Sequence, residues 1–358
     1  MADTNVCASP EERVQKFMAE YEAQWRIAAP EFEIRDPEHP RRAFVVWGEL
    51  MAATRHNHFS ETSSLDLAGS FGRPAEYGPE AEEFVRVDVH GDTAYVITQT
   101  TSVVKSLHEY ALQREGSDWR IVAIADHYGE PTAPFVDRVT IESNLATSKP
   151  DAPFTDVPPE QRLLDEVRNF TERDVARPDD QHTIRAEVSS VGTLTTSSGA
   201  LAVIDFGYDN DDARPLARRV APGSYPIERV TAFGRNAAVR VRFSDHEPVA
   251  WHPASLPESG HVIGVDAGCV CIVDYAAYAS MSRRDKAAAD GTYLAAARPA
   301  AMTFGLPTGD VGVVVDSGYG DGSYPVYWGV DAQGDIAQLV VDFLVLVTAD
   351  ENGVLIAL

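Results

Sequence analysis

The sequence predicts an α+β protein: a helix-first unit closed by a curved antiparallel sheet, then a mainly antiparallel β domain with a few helices. Three observations carry that prediction. Apolar residues recur at helical spacing from Val14 to Thr54, and after His58 the period becomes that of strands. From Ala186 onward, short β-branched or aromatic runs bounded by Gly, Asp and Asn dominate again. At 358 residues the chain is also longer than one hydrophobic core ordinarily serves, so two domains are expected.

Ser9-Pro10-Glu11-Glu12 opens the first helix: Ser9 suits the N-cap, Pro10 the first helical position, and Glu12 can close a capping box. Val14, Phe17, Met18, Tyr21 and Trp25 mark one face up to about Pro30. A second helix is expected over Arg41–Thr54, with Phe44, Val45, Trp47, Leu50 and Met51 as its apolar residues. Arg55-His56-Asn57-His58 reads as a solvent-facing loop. His56 and His58 could share a face, but no third metal ligand accompanies them. Ser64–Phe71, Phe84–Val89, Thr93–Val103, His108–Arg114 and Trp119–His127 read as strands, the later ones joined as hairpins at Gly91-Asp92 and Gly116-Ser117-Asp118.

Glu130–Pro159 is rich in Pro, Thr, Ser and Asp, which favours a linker. The expected division is therefore residues 1–130, a linker over 131–160, and residues 161–358. Pro159–Val175 carries Leu163, Leu164, Val167 and Phe170 at helical core spacing, and the Ala-rich stretch Ser280–Ala301 is a further expected helix. Within Gly309–Leu346, the run Val311–Val315 stops at Asp316, turns through Gly318, Gly320 and Gly322, and restarts as Tyr324–Val330. It turns again at Asp331-Ala332-Gln333-Gly334 and ends in a strand that is largely apolar on both faces, as a central strand is. Successive hairpins are expected here.

That phrase recurs. Leu201–Tyr208 followed by Gly223-Ser224-Tyr225-Pro226-Ile227 echoes Val313–Tyr319 followed by Gly322-Ser323-Tyr324-Pro325-Val326, and Val262–Gly268 is a weaker copy. Each copy runs an apolar strand into an Asp-containing glycine turn. Tight turns ask for those residue types whatever the function.

Composition narrows the function classes. Lys and Arg total 30 against 55 Asp and Glu, a net charge of −25. Such a surface repels nucleic acid and anionic membranes and attracts basic partners. Three cysteines make no disulfide framework, and Cys269 and Cys271 on a strand read as small buried hydrophobes. Met1–Val14 is polar and acidic and lacks the apolar stretch of a signal peptide, and no apolar run is long enough to span a bilayer, so a cytoplasmic location is expected. No nucleophile elbow, Walker loop or zincin helix is present. Asp209-Asn210-Asp211-Asp212-Ala213 lacks the glycine of a calcium loop, and Gly318–Gly322 has the wrong spacing for a dinucleotide fingerprint. No cofactor and no metal is expected.

The first half resembles the nuclear-transport-factor-2-like fold, and in particular the immunity proteins of bacterial polymorphic toxin systems. The resemblance lies in the early helix with Trp25, in Gly69-Ser70-Phe71-Gly72-Arg73-Pro74-Ala75-Glu76-Tyr77, and in Glu109–Arg114 with Asp118-Trp119-Arg120-Ile121. It implies a cone-shaped α+β domain over roughly residues 9–130. The second half resembles the bacterial domain-of-unknown-function family 4241. Thr193–Asp205, Pro222–Pro226, Val265–Gly268 and above all Gly320-Asp321-Gly322-Ser323-Tyr324-Pro325-Val326-Tyr327-Trp328-Gly329 carry that likeness. It implies a domain boundary and a bacterial setting near toxin–immunity loci, without an established chemistry.

Two functions are therefore expected as alternatives. In the first, an immunity protein neutralises a cognate toxin, such as a basic nuclease, by direct binding. Tyr77, Glu80, Glu82, Glu83 and Phe84 would then form an exposed acidic and aromatic contact surface, although a merely solvated loop would read the same. In the second, an enzyme or a small-ligand or metal-binding protein uses the turns of the second domain, with Asp205, Asp266, Asp316, Asp321 and Tyr324 converging. Asp126-His127 is a weak catalytic pair, because neighbours on a strand face opposite ways.

Overall fold

The computed structural model describes residues 6–34, 37–155, 169–177, 182–257, 260, 262–349 and 355–358. It is α+β and divides into two compact units, Met1–Ala133 and Pro134–Leu358.

In the first unit, α1 (Pro10–Ala28) starts where the capping residues place it. The Ser9 hydroxyl accepts from the Glu12 amide at 3.2 Å, and the Glu12 carboxylate reaches back to the Ala8 amide at 3.3 Å. A short 3₁₀ turn, Ala29–Glu33, follows it. The second helix, α2 (Arg42–His58), runs one turn past its expected end at Thr54. Arg55 extends it by donating to the Ser63 and Leu65 carbonyls, and His58 by packing between Arg13 and Glu20. His58 is thus buried rather than in a solvent-facing loop, while His56 is exposed.

Four strands follow, β1 (Glu82–His90), β2 (Thr93–Thr100), β3 (Leu107–Glu115) and β4 (Asp118–His127), paired antiparallel in sequence order. The strand expected over Ser64–Phe71 is absent. That segment is held from the side instead: Trp47 Nε1 donates to the Ser70 carbonyl (2.8 Å), Trp25 Nε1 to the Gly72 carbonyl (2.9 Å), and Phe71 stacks on Phe32 at 3.8 Å. Phe17, Tyr21, Trp47, Val96, Tyr110 and Ile121 form the core between helices and sheet. Arg13 is wholly buried there and bonded throughout, to the Trp119 and Asn57 carbonyls, His58 Nδ1 and Asp118.

The second unit begins inside the interval expected to be a linker. Phe135 and Val136 donate their amides to the Met281 and Ala279 carbonyls, and α3 (Arg138–Thr147), capped by Asp137, sends Asn144 to the Tyr275 hydroxyl at 2.7 Å. Proline content marks an irregular path, but residues 135–147 are part of the unit's packing. Of the helix expected over Pro159–Val175, residues 159–168 lie outside the described residues, and its end is a strand.

The strands of this unit are β5 (Arg173–Ala176), β6 (Thr183–Thr196), β7 (Leu201–Asp205), β8 (Gly223–Ala232), β9 (Arg235–Arg242), β10 (Ala250–Pro253), β11 (Val262–Val265) and β12 (Cys269–Asp274). They continue as β13 (Ala301–Gly305), β14 (Val311–Asp316), β15 (Gly322–Val330), β16 (Ile336–Asp342), and the small pair β17 (Val347–Ala349) and β18 (Leu355–Ala357). Among the described residues, β5–β16 make one antiparallel sheet in the order β10-β15-β16-β9-β8-β6-β14-β12-β7, with β11 on β15, β13 on β14 and β5 on β6. A helix at Arg283–Leu294 interrupts the strands inside the expected Ser280–Ala301 stretch. As expected, β16 is central and Cys269 and Cys271 are buried within β12.

The expected run of hairpins holds only for its second turn. β15 and β16 are a hairpin, but β14 pairs with β12, β13 and β6, whereas β15 takes β10 and β11. The glycine-rich turn between them is packed rather than tight: a side chain at Gly318 (φ +69°) would strike the Asn236 carbonyl and Phe343. The repeat is nonetheless real in local structure. Tyr225 and Tyr324 each donate a hydroxyl to the carbonyl four residues earlier, Ala221 at 2.6 Å and Gly320 at 2.8 Å.

Candidate functional site

In the first unit the stretch Tyr77–Phe84 alternates between surface and interior. Glu80 and Glu83 are exposed, Phe84 is half-buried against the core, and Tyr77 and Glu82 are buried. Glu82 and Tyr77 are therefore not part of an outward contact surface. The cause is the two-residue period of β1, which turns Glu82 inward beside Phe84 and Glu83 outward.

Inside, the Glu82 carboxylate is met from several sides. Tyr110 donates its hydroxyl at 2.8 and 3.0 Å, Thr98 donates its own, and His108 Nδ1 lies 3.1 Å away. A buried carboxylate is tolerable only with such a set of partners. Burial pulls the His108 pKa down, but Glu82, with Asp126 and Glu76 behind it, holds the ring above its ordinary value. Burial raises the Tyr77 and Tyr110 hydroxyls far above theirs. This polar cluster, which ties β1 to β2 and β3, was not foreseen; alternation along Ala81–Val85 was the signal for it. Asp126 is exposed and His127 buried, as their adjacency on β4 requires.

At the exposed edge of the same region, Thr101 donates its hydroxyl to the Glu80 and Ala81 carbonyls at 3.1 Å. That bond sets the loop after β2 beside Glu80. Val103 and Val104 on this loop are exposed, and Val103 is wholly so.

In the second unit the glycine turns do gather at one end of the sheet. Asp205 of β7 stands opposite Val270, Asp316 of β14 opposite Cys269, and Val265 of β11 opposite Gly322. Their carboxylates have separate tasks, however. Asp205 accepts from the Asp266 and Ala267 amides at 2.6 and 3.1 Å, and a side chain at Gly207 would collide with Ala267. Asp316 accepts from Tyr293, Arg298 and, at 2.9 Å, the Ala300 amide. Tyr324 is buried and bonded to Gly320, and Asp321 is exposed in the turn. Among the described residues no three His, Cys, Asp or Glu side chains are grouped to hold a metal ion.

Of these five, Asp205 and Asp266 share a concave surface. β7 ends the sheet order, β11 lies on β15 near the other end, and the two strands sit side by side without a ladder. That seam leaves a hollow of about 430 Å³. Val203, Leu216, Ala254 and Val326 floor it, and Asp205, Tyr208, Asp209, Asp212 and Asp266 stand around it. Tyr208, Asp209 and Asp212 were missed as site residues: the acidic run failed as a calcium loop, and only the curling of the sheet shows what it borders.

One family matches. Its model, described as "Protein of unknown function (DUF4241)", covers residues 194–341, which supports the likeness seen in the second half. The span runs from the end of β6 to β16 and so includes the hollow and every repeat copy. Searches of curated proteins and of solved structures found no match. No helix among the described residues is long and apolar enough to cross a membrane.

Proposed function

We propose that this chain is an immunity protein of a bacterial polymorphic toxin system, and that it neutralises a cognate toxin by direct binding. The observation that carries the reading is the edge of the first unit where the Glu80 carbonyl accepts from Thr101, so that exposed Glu80 adjoins the loop bearing exposed Val103 and Val104, with exposed Glu83 opposite Gln99 near the end of β2. Carboxylates beside solvent-facing valines suit a partner that is basic around an apolar patch. The net charge of −25 extends that preference over the whole surface. A nuclease is the partner class in view, because a groove that attracts phosphate also attracts an acidic inhibitor. Helices packed on a four-stranded antiparallel sheet support a nuclear-transport-factor-2-like reading of this unit. A cytoplasmic site of action follows from the proposal.

The test is co-expression with the toxin encoded at the same locus. Wild-type chain is expected to restore growth, and Val103→Asp with Val104→Asp to lose protection while remaining folded. Protection by a chain that does not associate with the toxin would replace binding with enzymatic reversal of the toxin's product. No protection at all would remove the proposal.

A further inference from the structure

We propose that the hollow between β7 and β11 binds a small organic monocation, an ammonium or guanidinium carried on an aliphatic or aromatic body. Its two parts differ in chemistry. The floor is apolar and buried, with Val203, Leu216, Ala254 and Val326. The rim carries the carboxylates of Asp209, Asp212 and Asp266, all exposed.

No Lys, Arg or His among the described residues forms an ion pair with the rim carboxylates or with Asp205, and Arg214, nearest in sequence, is tied to the Asp211 and Ala213 carbonyls. Like charges set round a low-dielectric wall raise the local concentration of a cation and disfavour an anion. A bare metal ion fits poorly, since among the described residues no three His, Cys, Asp or Glu side chains are grouped to hold one. An amphipathic cation satisfies both parts, with its body on the valines and its head among the carboxylates. Tyr208, exposed at the mouth, adds a ring face to which a cation is drawn. The volume is that of an ordinary small-molecule site. Asp205 acts differently: it holds the seam by accepting from the Asp266 and Ala267 amides, so it positions the rim.

The experiment titrates the full chain with hexylammonium chloride, 1-hexanol and sodium hexanoate at low salt, following the Val203 and Leu216 methyl resonances. Hexylammonium is expected to saturate those shifts and to bind about ten-fold tighter than hexanol, a preference that shrinks with salt. Hexanoate is expected to bind weakest. Asp209→Asn with Asp212→Asn should erase most of the preference and leave hexanol binding unchanged. Gly264 lines the hollow and a Cβ there meets nothing within 4 Å, so Gly264→Phe should fill the space and abolish binding of both probes. Equal affinity for hexanol and hexylammonium, or saturation that leaves the Val203 and Leu216 methyls unmoved, would overturn the proposal. So would the absence of saturable binding by any probe.

Discussion

The carboxylate of Glu82 is enclosed with Tyr110, Thr98 and His108 around it, whereas Asp209, Asp212 and Asp266 stand in solvent beside an apolar hollow. The chemical group is the same and the surroundings are opposite. An enclosed carboxylate spends its acceptor capacity on the fold, and its loss strands several buried donors. An open carboxylate with no cation beside it costs the fold little to keep and is available to something outside. The same division separates Glu82 from Glu83, the next residue of the strand, while exposed Glu80 has Arg26 beside it at 3.9 Å.

The comparison would break first at Glu82. Glu82→Ala leaves the Tyr110 and Thr98 hydroxyls and His108 without their acceptor, and should destabilise the first unit by about 3 kcal/mol. Hydrogen exchange of β2 and β3 amides measures this. Asp209→Asn with Asp212→Asn should change the second unit's stability by less than about 0.5 kcal/mol. Equal losses from the two substitutions would erase the distinction.

Asp316 is intermediate, buried on one side but paired with the largely exposed Arg298. Asp316→Ala should cost about 2 kcal/mol through the Tyr293 hydroxyl and the Ala300 amide. Asp266→Ala, at the open rim, should be close to neutral. Urea denaturation of the two variants sharpens the ranking.

Two buried histidines of the first unit should respond to pH with opposite signs. His58 Nδ1 accepts from Arg13 at 3.2 Å and its Nε2 faces Glu20 at 2.9 Å, so a second proton would point at a guanidinium. Burial, only partly offset by Glu20, holds its pKa below the ordinary 6.5. The unfolded chain then takes the proton first. The contribution of His58 is complete above 6.5 and is lost as pH falls through the depressed folded value. His108 beside Glu82 has a raised pKa, so its contribution is complete below 6.5 and is lost as pH rises through the folded value. Each slope is at most about 1.4 kcal/mol per pH unit. Unfolding free energies of wild type, His58→Gln and His108→Gln across pH isolate the two, and slopes of the same sign would contradict the assigned hydrogen bonds.

Much of the fold was legible because local chemistry agrees with it. Ser9, Pro10 and Glu12 announce α1, and Gly91 and Gly116 adopt the positive φ that their hairpin turns need. What escaped was settled at long range. Ser64–Phe71 has strand composition but is held by the indoles of Trp25 and Trp47, far off in sequence. The turn after Asp316 has hairpin residues, yet β11 occupies the edge that β14 would need on β15. Glu82 looked like its acidic neighbours, and only the strand's alternation distinguishes it. The hollow depends on two strands from opposite ends of the sheet order, a proximity that no local pattern encodes.

The most direct measurement is the association rate of the full chain with the purified toxin of its locus, taken from about 0.02 M to about 0.15 M salt. Open carboxylates that recruit a basic partner predict a rate that falls about ten-fold or more over that range. Glu80→Lys with Glu83→Lys should slow it by a similar factor and leave the melting temperature unchanged. A rate indifferent to salt and to that charge reversal, with binding intact, would contradict the account.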